Sequence, residues 1–373
     1  MQRWMRWFVN SGHEVYLITD YPSNMPGITE YDISDDGGYS GGRIRRYLSL
    51  RFNVYFLRSL VRKSKVDLLR QIINVRKIIR KIKPDVVHSH TLLYPSYLGV
   101  FSGFHPLVVT PWNGDIVWKS QWSYIRKYAV RHGLAKADLI TVDSDELRVK
   151  TMQYGDYEDK TEYISFGVDT KLFYPGGAGS SGLKKRLRIA PDAPVILSNR
   201  SFEDLYNIDV IIKAIPSILG VFPKTIFVFA WHSASRKDYL MELAESLGVM
   251  DNVRFIGKVV HEELPEYYAG SDVFVTIPAG DTISISLLEA MACGVAPVVS
   301  DLPSSRECIR DGVNGCVVPV RDVEATAQAI IKLLGDGHLR ETMVQRNREW
   351  VMDNADWDGN MKKAEQLYYA LLP

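Results

Sequence analysis

Short apolar runs alternate with helix-periodic stretches along this whole chain, and that alternation narrows the fold more than any single residue does. In the first half the runs are Tyr16-Leu17-Ile18-Thr19, Leu107-Val108-Val109, Ala137-Asp138-Leu139-Ile140-Thr141-Val142, and Pro84 to His90, which ends in the polar His88-Ser89-His90. In the second half they are Val195 to Arg200, Thr225 to Ala230, Asn252 to Gly257, Val273 to Pro278 and Ala296 to Ser300. A strand that is apolar on both faces must be covered on both, and helices between successive strands supply that cover, so the pattern predicts parallel α/β sheets. A length of 373 residues exceeds what one hydrophobic core supports and predicts two such domains. Pro175-Gly-Gly-Ala-Gly-Ser-Ser-Gly182 falls near mid-chain, is flexible by composition and reads as the linker, with a helix beginning at Leu183-Lys-Lys-Arg.

Asp281-Thr-Ile-Ser-Ile-Ser-Leu-Leu-Glu-Ala-Met-Ala places two carboxylates, Asp281 and Glu289, with seven residues between them around a helix start. The run from Val273 is a buried strand, and Leu287, Leu288, Ala290 and Met291 give the helix an apolar face. Ser284 or Ser286 is expected to cap that helix. Its free N–H groups and positive dipole end attract a diphosphate, while Glu289, further along, is placed to accept hydrogen bonds from ribose hydroxyls. This is the arrangement of a sugar-nucleotide site.

At these residues the chain resembles the retaining GT-B glycosyltransferases of family four, whose signature is Glu, seven residues, Glu, then Ala-Met-Ala-x-Gly. Asp281 stands where the family has its first Glu, one methylene shorter. Gly12-His13-Glu14-Val15 and Ile164-Ser165-Phe166-Gly167-Val168-Asp169 recur in the family's order, so the resemblance covers nearly the whole chain. It implies two Rossmann-like domains facing a central cleft: residues 1–174 on the acceptor side, a linker at 175–182, and 183–345 binding the nucleotide sugar. Residues 346–373 are implied as helices crossing back to the first domain. Glu289 is implied as the ribose ligand and Asp281 as a contact near the transferred sugar, with Arg200 bracing the donor diphosphate. The family commonly adds a Lys where this chain has Tyr206, which moves its task to another cation such as Lys258. Phe255 to Val259, Ile256 included, resembles the segment beside the nucleobase, and Ile283 falls in the donor loop. Thr110-Pro-Trp-Asn-Gly-Asp115 is implied to line the acceptor side, with Trp112 stacking on a sugar ring and Asn113 or Asp115 orienting a hydroxyl. Asp281, Arg200 and His90 make up the expected catalytic set, although His90 also reads as a satisfied strand-end histidine. Members of the family open with a strand and a Gly-rich loop, whereas this chain starts inside the following helix, about twenty-five residues later by comparison with that pattern. The expectation is a start assigned too late or a shortened form.

The implied reaction moves a hexose-type sugar from a nucleoside diphosphate to a hydroxyl acceptor, glycan or lipid-linked, in cell-surface glycan assembly, with retention at the anomeric carbon. No carboxylate reads as a nucleophile on the opposite sugar face, which favours a same-face path. No resident cofactor or metal is expected. His88 and His90 share a strand face, but no third and fourth ligands accompany them. Cys293, Cys308 and Cys316 show no redox or metal spacing and predict reduced thiols in the cytoplasm.

Net charge is only +1, yet residues 43 to 83 hold fourteen Lys or Arg against the single acid Asp67, so +13 there leaves −12 elsewhere. Cations such as Arg70, Arg76, Lys77 and Arg80 alternate with Leu69, Ile72, Ile73 and Ile79. That pattern suits anionic lipid headgroups and predicts peripheral association with the inner leaflet. No recognition motif for nucleic acid accompanies the charge. No signal-peptide succession or run of eighteen apolar residues is present. A nicotinamide dehydrogenase needs its glycines after a strand, and Gly37-Gly38-Tyr39-Ser40-Gly41-Gly42 lacks one. Asp143-Ser144-Asp145 matches the metal-binding Asp-x-Asp of a GT-A transferase only in letters and reads as a helix cap. The remaining rival is a non-catalytic GT-B homologue that binds sugar nucleotides or acts as a scaffold.

Overall fold

The computed structural model describes residues 2–19, 27–32, 39–40, 65–92, 97–116, 124–176 and 180–373. Residues 43–64 of the basic stretch, residues 177–179 of the linker and the glycines at 37, 38, 41 and 42 lie outside the described residues. The chain forms two compact units, one of Met1–Ile164 with Met361–Pro373 and one of Ser165–Asn360.

In the first unit the described strands fall into two sheets. β1 (Val15–Thr19) pairs parallel with β2 (Ile28–Asp32), which pairs antiparallel with β3 (Tyr39–Ser40). β4 (Val87–His90), β5 (Leu107–Thr110), β6 (Leu139–Val142) and β7 (Thr161–Tyr163) form a parallel sheet in that order. The helix Lys65–Ile82 turns Val75, Ile78 and Ile79 inward at helical spacing, and these pack with Val87, Val109 and Ile140. Ser144 caps the helix Asp145–Met152 by accepting a hydrogen bond from the Leu147 N–H at 3.2 Å, so Asp143-Ser144-Asp145 is a helix start.

The end of the chain is held in this unit through three side chains of the helix Trp357–Ala370. The Tyr368 hydroxyl hydrogen-bonds with His88 Nδ1 at 2.6 Å while its ring stacks on Phe8. Glu365 pairs with His13 at 2.6 Å, and Lys363 pairs with Glu162 at 3.2 Å.

The second unit is a six-stranded parallel sheet in the order β10-β9-β8-β11-β12-β13. Its strands are β8 (Val195–Ser198), β9 (Ile226–Ala230), β10 (Val253–Gly257), β11 (Val273–Thr276), β12 (Ala296–Ser300) and β13 (Cys316–Val318). Alternate side chains feed two cores: Ile196, Phe227, Phe229, Val273 and Val275 join one, while Leu197, Val228 and Phe274 join the other. That two-sided burial is why these strands read as continuous apolar runs. The strand order reverses beside β8, so the carboxyl ends of β8 and β11 flank a switch point, where ligands of open α/β sheets bind.

Unit boundaries differ from those read in the sequence. The first unit stops at Ile164, not 174, because Val168 and Phe173 are fully buried in the second unit's core with Leu183 and Val195. The helix Ser180–Arg186 takes in Ser180 to Gly182 of the expected linker. The chain rejoins the first unit at Met361 and not at 346, because the helix Gly337–Asn354 buries Met343, Asn347 and Val351 in the second unit.

Candidate functional site

Arg200 lies two residues past β8 and Asp281 five past β11, and the fold brings them together. Arg200 Nη2 donates to Asp281 Oδ2 at 2.5 Å, and Nη1 donates to the hydroxyls of Ser284 at 2.5 Å and Ser286 at 3.1 Å. Its guanidinium sits 4.4 Å from the ring centre of Tyr206, within cation–π range. The position where a second cation was missed therefore carries an aromatic plate for the first one. Four expected donor-site residues, Arg200, Tyr206, Asp281 and Ser284, form one cluster.

Ser284 occupies the N-cap position of the helix Ile285–Ala292, yet no side chain caps that helix. The expectation of a serine cap is corrected: the Ser284 hydroxyl is taken up by Arg200 and by Ser286 Oγ at 2.7 Å, while the Ser284 carbonyl accepts from the Leu287 and Leu288 N–H groups. A charged guanidinium is a stronger donor than a backbone amide and holds the hydroxyl away from the helix axis. The positive end of the helix thus meets the site without a side chain across it. At the other end Gly294, at φ 80°, terminates the helix, a conformation that favours glycine, and an added Cβ there would press on Val344.

Glu289 is 3% exposed. Its Oε2 accepts from the Tyr268 hydroxyl at 2.9 Å, and its Oε1 bonds His261 Nε2 at 3.0 Å. Tyr268 in turn accepts from Asn199 Nδ2 at 2.7 Å, and burial, reinforced by Glu289, pushes its hydroxyl well above the usual phenol range, so the phenol keeps the proton it donates to Glu289. Reading the sequence missed Asn199, Tyr268 and His261. Asn199 precedes Arg200 at a strand end and was findable there. Tyr268 sits in a helix among apolar residues and reads as packing, and His261 lies in a short turn, His261–Glu263, that carries no signal.

The other donor-side expectations are placed as follows. Ile283 is buried with the second unit's core, and Ile256 is partly buried against the same core. Lys258 is exposed just after Gly257, which ends β10 at φ 78°.

The acceptor-side expectations fare differently. Trp112 is exposed, as a stacking platform requires. Asn113 begins the short helix Asn113–Ile116, but its side chain lies outside the described residues. Asp115 is 3% exposed, and its carboxylate is taken up by the loops around it. Its Oδ2 accepts from the Leu92 and Trp112 N–H groups, both at 2.8 Å, and its Oδ1 accepts from the Thr91 hydroxyl at 2.5 Å. It pins two loops together, and burial holds its pKa above the usual carboxylate range despite those donors.

His90 is likewise fully buried, its ring 3.9 Å from that of His88 and edge-on to Trp4. The expected catalytic role is not supported by such a position, and burial lowers its pKa well below the ordinary value. His88 uses both ring nitrogens, one with Tyr368 and one with Thr110 at 2.6 Å, which leaves neither for a metal. Cys293, Cys308 and Cys316 are buried free thiols, the first two pushed up to about 12 by burial. No helix among the described residues is long and apolar enough to cross a membrane.

Two units of parallel α/β architecture, one holding a cation, an open helix start and a buried carboxylate at its strand ends, define a GT-B type glycosyltransferase fold. The family described as Glycosyl transferases group 1 matches residues 181–350, and Glycosyltransferase Family 4 matches residues 1–172. The chain belongs to glycosyltransferase family four. One relative is a GDP-mannose-dependent alpha-(1-6)-phosphatidylinositol monomannoside mannosyltransferase of Mycolicibacterium smegmatis, 29% identical over 63% of this chain and 64% of the relative. An uncharacterized glycosyltransferase of Methanocaldococcus jannaschii is 23% identical over 96% of this chain and 90% of its own. Among solved structures, Anabaena HepE in complex with UDP superposes with a TM-score of 0.75 at 15% identity, covering 96% of this chain and 100% of that one. Sucrose-phosphate synthase of Thermosynechococcus elongatus gives 0.74 at 19% identity, covering 96% and 99%. The match spans 64% of the Mycolicibacterium enzyme's length and 52% of its Mycobacterium tuberculosis counterparts'.

Proposed function

We propose that this chain transfers a hexose-type sugar from a nucleoside-diphosphate sugar to a hydroxyl acceptor, with retention at the anomeric carbon and without a resident metal or cofactor. The observation that carries the reading is the convergence of Arg200, an open helix start and Glu289 at the carboxyl ends of β8 and β11. The helix start and Arg200 take the diphosphate, Glu289 takes the ribose diol, and Asp281 faces the transferred sugar. Backbone near Ile283 and Ile256, with Lys258, completes the donor side, and Trp112 serves the acceptor.

As the bond from anomeric carbon to phosphate oxygen lengthens, negative charge grows on the leaving diphosphate, and Arg200 and the helix dipole stabilise that state more than the ground state. The acceptor oxygen bonds the same face of the anomeric carbon and its proton passes to the departing phosphate oxygen. Relatives are named for GDP-mannose and one structural relative holds UDP, which suits a site that reads diphosphate and ribose. In this reading the acceptor is a glycan or lipid-linked, and the chain works at the inner face of an anionic membrane through residues 43–83.

Thermal-shift and calorimetric titration with UDP, GDP, ADP and their common sugars tests the donor half. A selective rise in melting temperature that Glu289→Ala abolishes is expected; a folded chain that responds to none overturns the reading. A sugar-nucleotide-binding subunit without turnover is the second reading, favoured by the closed Arg200–Asp281 pair and by the burial of His90. It predicts donor binding with no radiolabel transfer to any acceptor.

A further inference from the structure

The first unit carries a surface that the donor site does not use. The helix Lys65–Ile82 leaves Leu69, 62% exposed, and Ile73, 45% exposed, on its outer face beside Lys77, Arg80 and Lys81. On the helix Tyr124–Lys136, Val130 and Leu134 point into the core, whereas Tyr124 is 91% exposed and Tyr128 68% exposed, one turn apart, with Lys127 and Arg131 beside them.

A short third helix, Tyr97–Ser102, joins the two faces. Arg76 donates from Nη2 to the Phe101 carbonyl at 2.9 Å and from Nε to the Ser102 carbonyl at 3.2 Å. The Phe101 ring stacks on His132 at 5.4 Å between centroids, and His132 stacks on Tyr128 at 5.9 Å. One strip therefore runs from Ile73 through Arg76, Phe101 and His132 to Tyr128 and Tyr124. Residues 68–83, 97–102 and 124–136 contain no Asp or Glu.

We infer that this three-helix strip is a docking face for an anionic lipid surface, with Tyr124 and Tyr128 as its interfacial anchors. The inference deepens the membrane part of the proposed function and rests on it. Across the three packed helices Asp67, in the first turn of Lys65–Ile82, is the one acid among many cations, so the strip complements a negative headgroup layer, and its nearly one-signed field gives the cationic side chains of an ordinary protein partner little to pair with. A phenol ring standing almost wholly in water at Tyr124, with a second two-thirds exposed at Tyr128, is an unusual load for a helix that already has a buried face. Their apolar bodies and polar tips suit the headgroup level, where the ring is desolvated and the hydroxyl stays wet. Leu69 and Ile73, one turn apart, add a small aliphatic wedge at the other end of the strip.

The test is co-sedimentation of the full chain with vesicles of equal parts phosphatidylglycerol and phosphatidylcholine, against phosphatidylcholine alone. Binding is expected only to the anionic vesicles. Tyr124→Ser combined with Tyr128→Ser should weaken it by about tenfold, as partial burial of two rings implies. Lys127→Gln should weaken it by roughly fivefold. Equal binding of the double variant and the parent would show that the basic stretch acts without this strip and overturn the inference, as would binding to neither vesicle. Nucleotide thermal shift of the same proteins without vesicles separates the two claims. A retained shift with lost vesicle binding in the parent leaves the donor reading standing and removes this one, and the opposite pattern does the reverse.

Discussion

Replacing Tyr268 with Phe removes one oxygen from the most enclosed part of the site and keeps the ring's volume, so its consequences follow from hydrogen bonds alone. The hydroxyl donates to Glu289 Oε2 at 2.9 Å and accepts from Asn199 Nδ2 at 2.7 Å, all with Tyr268 fully buried. A bond to a charged group contributes about 1.5–3 kcal/mol, and stranding the Asn199 donor adds about 1 kcal/mol, for a loss of roughly 2.5–4 kcal/mol. In a unit the size of Ser165–Asn360 that lowers the melting temperature by roughly 5–16 °C, read as the second unit's transition in differential scanning calorimetry. Glu289 would also lose the contact that fixes its rotamer, and nucleoside-diphosphate affinity should fall about tenfold. His261→Asn is the comparator. Its ring is 39% exposed, so solvent screens its pairing with Glu289 and the stability change stays at about 0–1 kcal/mol. A Tyr268→Phe protein that melts within a degree of the parent would refute the burial argument; one that is destabilised but binds nucleotide unchanged would remove Glu289 from the ribose.

Asp281→Asn should raise affinity for a bare nucleoside diphosphate by about fivefold, because it removes the anion that competes for Arg200, while sugar transfer falls; calorimetry and a transfer assay read the two, and a drop in diphosphate affinity would contradict the geometry. Burial lowers His88 from 6.5 to about 3, so between those pH values the unfolded chain binds the proton that the folded chain refuses. Stability is therefore complete above pH 6.5 and is lost on acidification, at about 1.4 kcal/mol for each pH unit below 6.5, with His90 adding in the same direction; a first-unit melting temperature that stays flat from pH 7 to 5 would refute this. Asp115→Asn replaces an acceptor of three hydrogen bonds with a group that can keep only part of them. It should cost the first unit about 2–3 kcal/mol in a melting experiment and leave nucleotide binding intact.

The strands of the second unit were legible because a doubly covered strand must be apolar along its buried length, as β9 is throughout and as β8, β11 and β12 are up to a closing Ser or Thr. β7 was not read as a strand: Thr161-Glu162-Tyr163 lies at the sheet edge with only Thr161 buried, and an edge exposes the residues that would have announced it. Glu289 was legible through its spacing behind a strand and a loop, whereas its surroundings were not, since Tyr268 meets it and Asn199 meets Tyr268 only once β8 and the helix Leu264–Ala269 are packed. The serine cap failed for the same kind of reason. A local rule assigned Ser284 to the helix, and a guanidinium from 84 positions earlier claimed it. Asp115 shows the converse limit, for a carboxylate in a loop looks the same in sequence whether it faces a ligand or fastens its own backbone.

The closed pair of Arg200 and Asp281 has a consequence for discrimination on the proposed reading. Within the hydrogen-bonded cluster Arg200 already faces the Asp281 carboxylate, so an entering diphosphate gains fully from Arg200 only when that carboxylate lets go. A donor carries sugar hydroxyls that can hydrogen-bond the displaced carboxylate, which offsets the broken ion pair. A bare nucleoside diphosphate, the product, carries none, so Asp281 returns to Arg200 and opposes its retention. Affinity for donor over product would then depend on Asp281 itself, and Asp281→Asn should narrow the gap between a nucleotide sugar and its nucleoside diphosphate by weakening the first and strengthening the second. A variant in which both affinities move together would show that the carboxylate acts on the phosphates alone and never meets the sugar.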